Sequence, residues 1–208
     1  GPHQDQPIAT AGRPLAAAQA AMILVHGRGA TAVSILDLAA HLPHPHMAYL
    51  APQAANNTWY PRSFLAPIPQ NEPGISSGIQ VLADLVAQVE AAGIPADRLL
   101  LGGFSQGACL TAEFAARHPR RYGGLLIFSG GLIGPPDMRR SYTGSLAGTP
   151  VFIGCSDVDF HIPVARVHET ADVLTQLGAA VTKKIYPNMG HTIVQDEIDR
   201  AMDIVANV

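Results

Sequence analysis

The sequence predicts an α/β protein: a mostly parallel sheet with helices on both faces, compact and without a cap domain, in one domain over residues 1–208. Three observations predict it. Short apolar runs alternate with helix-like segments from end to end. Most of these runs are apolar on consecutive positions, as in strands covered on both faces. Charged residues are only 14% of the chain and hydrophobic ones 48%, a balance suited to buried strands rather than to disorder or repeats. At 208 residues the chain can bury a core without disulfide or metal staples.

The elements follow in order. Ala21-Met22-Ile23-Leu24-Val25 reads as a strand running into His26-Gly27-Arg28-Gly29-Ala30. Thr31 to Leu42 has helical spacing, with Ile35, Leu38, Ala39 and Leu42 on one face. Met47 to Ala51 is the next strand. Ser76 or Ser77 is placed to cap a helix running to about Ala92, which Gly93 and Pro95 stop. Leu99 to Gly102 is a strand, and a helix follows from Ala108 to Arg117. Gly124 to Phe128 and Val151 to Gly154 are strands, then comes a helix from about Val164 to Leu177. Val181 to Tyr186 is the last strand and Thr192 to Val205 the closing helix. Right-handed crossovers put the loops after the parallel strands on one rim, where such sheets bind ligands. Two stretches stay irregular, Pro52 to Ile75 and Gly130 to Gly148. The first carries Trp59, Tyr60 and Phe64 and is the candidate substrate wall.

Gly103-Phe104-Ser105-Gln106-Gly107 lies between a strand and a helix. Gly-x-Ser-x-Gly in that setting is the nucleophile elbow of α/β-hydrolases, which gives the fold class its finer name. The turn forces the serine backbone into a strained conformation and presents its hydroxyl above a helix N-terminus. A serine needs a base, and the base needs an orienting group. In this fold the order is Ser, then acid, then His, each after a strand. His191, directly after the last strand, is the candidate base. His3 is terminal, His26 precedes the serine, and the other histidines sit on or beside helices or after the penultimate strand. Ser156-Asp157-Val158-Asp159 offers two acids, and composition leaves both open. The backbone N–H of Gln106, next after the nucleophile, is one expected oxyanion donor.

The chain resembles the phospholipase/carboxylesterase family of α/β-hydrolases, which includes bacterial carboxylesterases and acyl-protein thioesterases. The matching segments are His26-Gly27-Arg28-Gly29, Ala51-Pro52-Gln53 with Trp59-Tyr60, Gly103-Phe104-Ser105-Gln106-Gly107, Pro150 to Pro163, and Met189-Gly190-His191. They span nearly the whole chain in the family's order. The resemblance implies a strand that begins with proline and leads to Asp-Pro-x-Val-Pro, whose Asp is catalytic. Laid from Pro150, that motif falls on Asp159-Phe160-His161-Ile162-Pro163, which favours Asp159 over Asp157. Phe160 departs from the family's proline and keeps Asp157 in play. The resemblance also implies the backbone N–H of Arg28 as the second oxyanion donor, and a homodimer.

The expected function is a serine carboxylesterase acting on small carboxylic esters, with Ser105, His191 and Asp159 as triad and neither metal nor organic cofactor. Thioester or lysophospholipid hydrolysis on longer acyl chains is the alternative, since sparse aromatics and the lack of an amphipathic membrane helix favour small esters. A non-catalytic binding protein of this fold would be signalled by a missing triad member, and all three positions are filled. The net charge of −3 argues against a nucleic-acid partner despite Arg117-His118-Pro119-Arg120-Arg121 and Arg139-Arg140. Pro43 and Pro45 break any helical face that would converge His41, His44 and His46 on a metal. Cys109 and Cys155 are expected to be reduced and buried. No apolar run reaches the roughly 18 to 20 residues of a membrane span. The first residues lack the basic and apolar regions of a secretion signal, so a cytoplasmic location is expected.

Overall fold

The structure, a computed structural model, describes residues 1–208. Its strands are β1 (Ile8–Gly12), β2 (Ala20–Val25), β3 (Met47–Pro52), β4 (Leu99–Phe104), β5 (Gly124–Phe128), β6 (Pro150–Ser156) and β7 (Ala180–Tyr186). They form one sheet in the order β1-β3-β2-β4-β5-β6-β7. All neighbours are parallel except β1, which runs antiparallel to β3 with Ile8 opposite Pro52 and Gly12 opposite Ala48. The helices are α1 (Ala32–Ile35), α2 (Asp37–His41), α3 (Gly74–Ala91), α4 (Gln106–Arg117), α5 (Val164–Gln176) and α6 (Gln195–Val205).

Strand β2 shows why the sequence runs are continuous rather than alternating. Ala21, Ile23 and Val25 point into the larger core under α3, α4 and α5, with Leu82, Phe114 and Leu174. Ala20, Met22 and Leu24 point into the smaller core on the opposite face, with Leu38 and Ile198. Successive side chains alternate between faces, and both faces are covered, so every position is apolar.

Strand β1 is absent from the sequence expectation. It lies at the sheet edge, and no residue in it is fully buried. An edge strand of this kind leaves no apolar run to read. The helix expected over Thr31 to Leu42 is instead two short pieces meeting at Leu36. Thr31 and Ser34 make a reciprocal capping box, and Ser34 Oγ also donates to the Thr31 carbonyl (2.9 Å), competing with the helical ladder. Its apolar face holds, with Leu38, Ala39 and Leu42 buried.

Helix α3 starts at Gly74, ahead of both serines proposed to cap it. The Glu72 carboxylate takes that place, accepting from Ser76 N (3.0 Å) and Ser76 Oγ (2.7 Å) at the positive end of the helix. Ser77 is buried inside the helix and accepts from His3 N (2.9 Å). The closing helix begins at Gln195 rather than Thr192, with Glu197 Oε2 accepting from Val194 N (3.0 Å). No helix is long and apolar enough to cross a membrane.

Candidate active site

Strand β4 ends at Phe104 and α4 begins at Gln106, so the whole reversal falls on Ser105, with φ 56° and ψ −120°. That strained backbone is fastened by Ser105 N donating to Phe128 O (3.0 Å) and Cys109 N donating to Ser105 O (3.0 Å). The flanking glycines permit the close approach. A Cβ on Gly103 would strike the Gly107 carbonyl group, and one on Gly107 would strike the Val25 carbonyl oxygen.

Ser105 Oγ lies 2.8 Å from His191 Nε2, and His191 Nδ1 lies 2.6 Å from Asp159 Oδ2. With the proton on Nδ1, the imidazole donates to the carboxylate and accepts from the serine hydroxyl. Phe104 and His161 flank the His191 ring, at centroid distances of 5.0 and 4.8 Å. Asp159 Oδ1 accepts from His161 N (2.8 Å) and Ile162 N (2.9 Å). Burial pushes this carboxyl's pKa up, but the bonds from His191, His161 and Ile162 outweigh it and hold the pKa below the usual value. The same two N–H bonds pin the turn that the family's proline would stiffen. Phe160, at that position, is 98% exposed.

The other acid has a different position. Asp157 N donates to Tyr186 O (3.0 Å), and Asp157 Oδ1 accepts from Asn188 N (2.8 Å). It therefore ties down the start of the loop that carries His191 and makes no hydrogen bond to the imidazole.

The oxyanion candidates line the same cavity as Ser105 and His191, a space of about 540 Å³. Gln106 is the first residue of α4, where a backbone N–H has no partner within the helix. Arg28 N donates to no protein acceptor. Its loop is braced on both sides, by Gly29 N to Asn57 O (2.7 Å) and by the Arg28 guanidinium to Pro61 O (3.2 Å) and Arg62 O (2.7 Å).

Of the three proposed wall residues, Tyr60 and Phe64 line the cavity and Trp59 does not. Trp59 is fully buried and fixed at three points. Its Nε1 donates to His26 O (3.0 Å), its N donates to Gln106 Oε1 (2.8 Å), and its carbonyl accepts from His3 Nε2 (2.7 Å). It is the core anchor of the wall loop rather than part of its surface.

Several residues that shape the site went unread. Gln106 Nε2 also donates to Tyr60 O (2.8 Å), so one side chain clamps two successive backbone positions. His26 Nε2 accepts from Ala54 N (3.0 Å) and His3 Nδ1 accepts from Ala55 N (3.0 Å). Burial lowers the pKa of both histidines. Asn71, fully buried, accepts from Arg62 N (2.7 Å) and donates to Ser63 O (2.8 Å). Gln106 and His26 lie in segments shared with the family while His3 and Asn71 lie in none, and the side-chain contacts of all four emerge only in the folded chain. Cys109 also lines the cavity. Both cysteines are free and buried, and burial pushes each thiol up to about 12, so neither supplies a thiolate nucleophile.

A seven-stranded, mostly parallel sheet with helices on both faces and a serine on the β4–α4 turn defines the α/β-hydrolase class. Within that class, the sequence profile described as Phospholipase/Carboxylesterase matches residues 8–208, and the chain belongs to that family. It is 31% identical to acyl-protein thioesterase 1 of Eremothecium gossypii, over 90% of this chain and 87% of that protein. Among solved structures it is similar to a phospholipase/carboxylesterase from Dyadobacter fermentans, with 44% identity, TM-score 0.93 and 97% of each chain covered. Esterase PE8 matches at 26% identity and TM-score 0.77, again over 97% of each chain. A hydrolase activity of the esterase or thioesterase kind follows from this membership.

Proposed function

We propose that the chain is a serine carboxylesterase that hydrolyses small carboxylic esters through an acyl-enzyme. One observation carries the proposal: the continuous line from Ser105 Oγ through the His191 ring to Asp159 Oδ2, with contacts of 2.8 and 2.6 Å. Ser105 attacks the ester carbonyl while His191 Nε2 takes its proton. The backbone N–H groups of Arg28 and Gln106 receive the oxyanion, each such donor being worth ~3 kcal/mol in the transition state. His191 then protonates the departing alcohol. A water activated by the same imidazole attacks the acyl-enzyme and releases the acid. Asp159 holds the tautomer and stabilises the imidazolium.

Both Arg28 and Gln106 act through main chain, so side-chain replacement leaves those donors in place. Tyr60 and Phe64 are proposed as the substrate wall. A profile of p-nitrophenyl ester hydrolysis against acyl length tests the substrate class. The expected result is a maximum kcat/KM at short acyl chains. A maximum at long chains would replace the small-ester reading with hydrolysis of long acyl groups.

A further inference from the structure

The cavity around Ser105 carries a charge bias that ester hydrolysis does not require. Its lining holds two guanidinium groups, Arg28 and Arg62, and no Asp or Glu side chain. This is set in a chain whose formal charge is −3. Elsewhere, Arg117, Arg120, Arg140, Arg166 and Arg200 are paired with carboxylates, while Arg13, Arg98, Arg121 and Arg139 are not, but none of these four lines the cavity. The two at the cavity are paired with none. Arg28 is held in place, donating to Pro61 O and Arg62 O and lying 5.8 Å from the centre of the Tyr60 ring. Two of its five N–H groups are used, and three remain. The Arg62 side chain is exposed and makes no hydrogen bond or ion pair, although its backbone N–H is pinned by buried Asn71. One guanidinium is thus preorganised, and the other is free on an anchored stretch of backbone.

From this arrangement, and resting on the esterase reading for the chemistry, we propose that Arg28 and Arg62 form an anion subsite. The substrate is then an ester that carries one carboxylate or phosphate beside the scissile bond. Without a counter-charge, such a group would sit near a developing oxyanion and the ionised Asp159, and be repelled. Guanidinium groups remove that repulsion and can bind either oxyanion in bidentate fashion.

Calorimetry on the Ser105→Ala protein tests binding apart from turnover. Monoethyl glutarate is compared with ethyl valerate, placing the charge on the acyl side. 2-Acetoxyethyl phosphate is compared with 2-ethoxyethyl acetate, placing it on the alcohol side. The charged member of at least one pair is expected to bind about five- to tenfold more tightly, as for a partly screened ion pair. That preference should shrink in 0.5 M salt and be lost in Ser105→Ala/Arg62→Gln. The pair that shows it identifies the side and the chemistry of the anion. Equal or weaker binding of both charged esters, or a preference that survives Arg62→Gln, overturns the subsite. Wild-type turnover of the same four esters is scored separately. Tight anion binding with no hydrolysis of any ester would fault the esterase reading and leave the subsite standing.

Discussion

The rim that carries Ser105, Asp159 and His191 and the wall loop that faces it are positioned by opposite means. On the rim, each group stands directly after a strand: Ser105 after β4, Asp159 after β6, His191 after β7. Hydrogen bonds close by in the chain complete the placement, such as Asp159 Oδ1 to the two N–H groups that follow it. The wall loop has only short 3₁₀ turns at Ala55–Asn57 and Ile68–Asn71. It is held from outside by Gln106 on α4, His26 after β2 and His3 near the N-terminus, and from within by buried Asn71. Chemistry is placed by the sheet and the shape of the cavity by scattered buried polar groups. Chemistry and cavity shape can therefore be perturbed separately.

The largest effects are expected on the rim. Ser105→Ala or His191→Ala should cut kcat by roughly 10⁴- to 10⁶-fold with the fold unchanged by circular dichroism. Asp159→Asn should cost about 10⁴-fold, because an amide orients the wrong tautomer. Asp157→Asn should cost less than about tenfold, since the amide oxygen can still accept from Asn188 N. Comparable losses at both aspartates would break the distinction drawn between them.

Asn71→Ala is the matching test on the wall. It strands Arg62 N and the Ser63 carbonyl and should cost about 2–3 kcal/mol in urea unfolding. KM should rise several-fold while kcat changes little, because Phe64 and Arg62 shift and the triad does not. A collapse of kcat at unchanged KM would show that wall and rim are not separable.

The smallest effect is a pH dependence read through Trp59, the only tryptophan. His3 and His26 rings lie 5.0 and 5.3 Å from its ring. Burial keeps both histidines neutral in the fold, so the unfolded chain takes up more protons below about pH 6.5 and stability falls as the pH drops through that range. Glu197 works in the opposite sense. Burial pushes its pKa up to about 7, so the folded state holds the extra proton, and stability falls as pH rises from about 4.5 to 7. His3→Gln should therefore reduce the loss on the acid side, and Glu197→Gln should flatten the loss on raising pH. Both are measured as unfolding midpoints from Trp59 fluorescence. Midpoints that keep the wild-type pH slope in both variants would remove these groups from the account.

How much was legible from sequence follows the same division. The five inner strands, β2 to β6, show as apolar runs because their faces are covered by packed helices. Strand β7, at the second edge, reads Ala-Val-Thr-Lys-Lys-Ile-Tyr and has no fully buried residue. Ser105 and His191 show because their chemistry depends on position after a strand. Asp159 needed a family motif to separate it from Asp157, since two acids two residues apart share the same local setting. The edge strand β1 buries too little to leave a pattern. As candidate bases His3 is set aside as terminal and His26 because it precedes the serine, and both instead brace the cavity wall. Trp59 reads as wall from sequence because an aromatic in a rim loop looks the same whether it faces in or out. Such contacts span 28 to 56 positions, as between His26 and Ala54 or His3 and Trp59, and no local rule reaches that far.

The central claim is that Ser105 is a nucleophile activated by His191. Intact-protein mass spectrometry after treatment with a fluorophosphonate probe tests it most directly. One adduct per chain is expected, mapped to Ser105, with little labelling in Ser105→Ala or His191→Ala. An unmodified wild-type protein, or an adduct on any other residue, would rule out that role for Ser105.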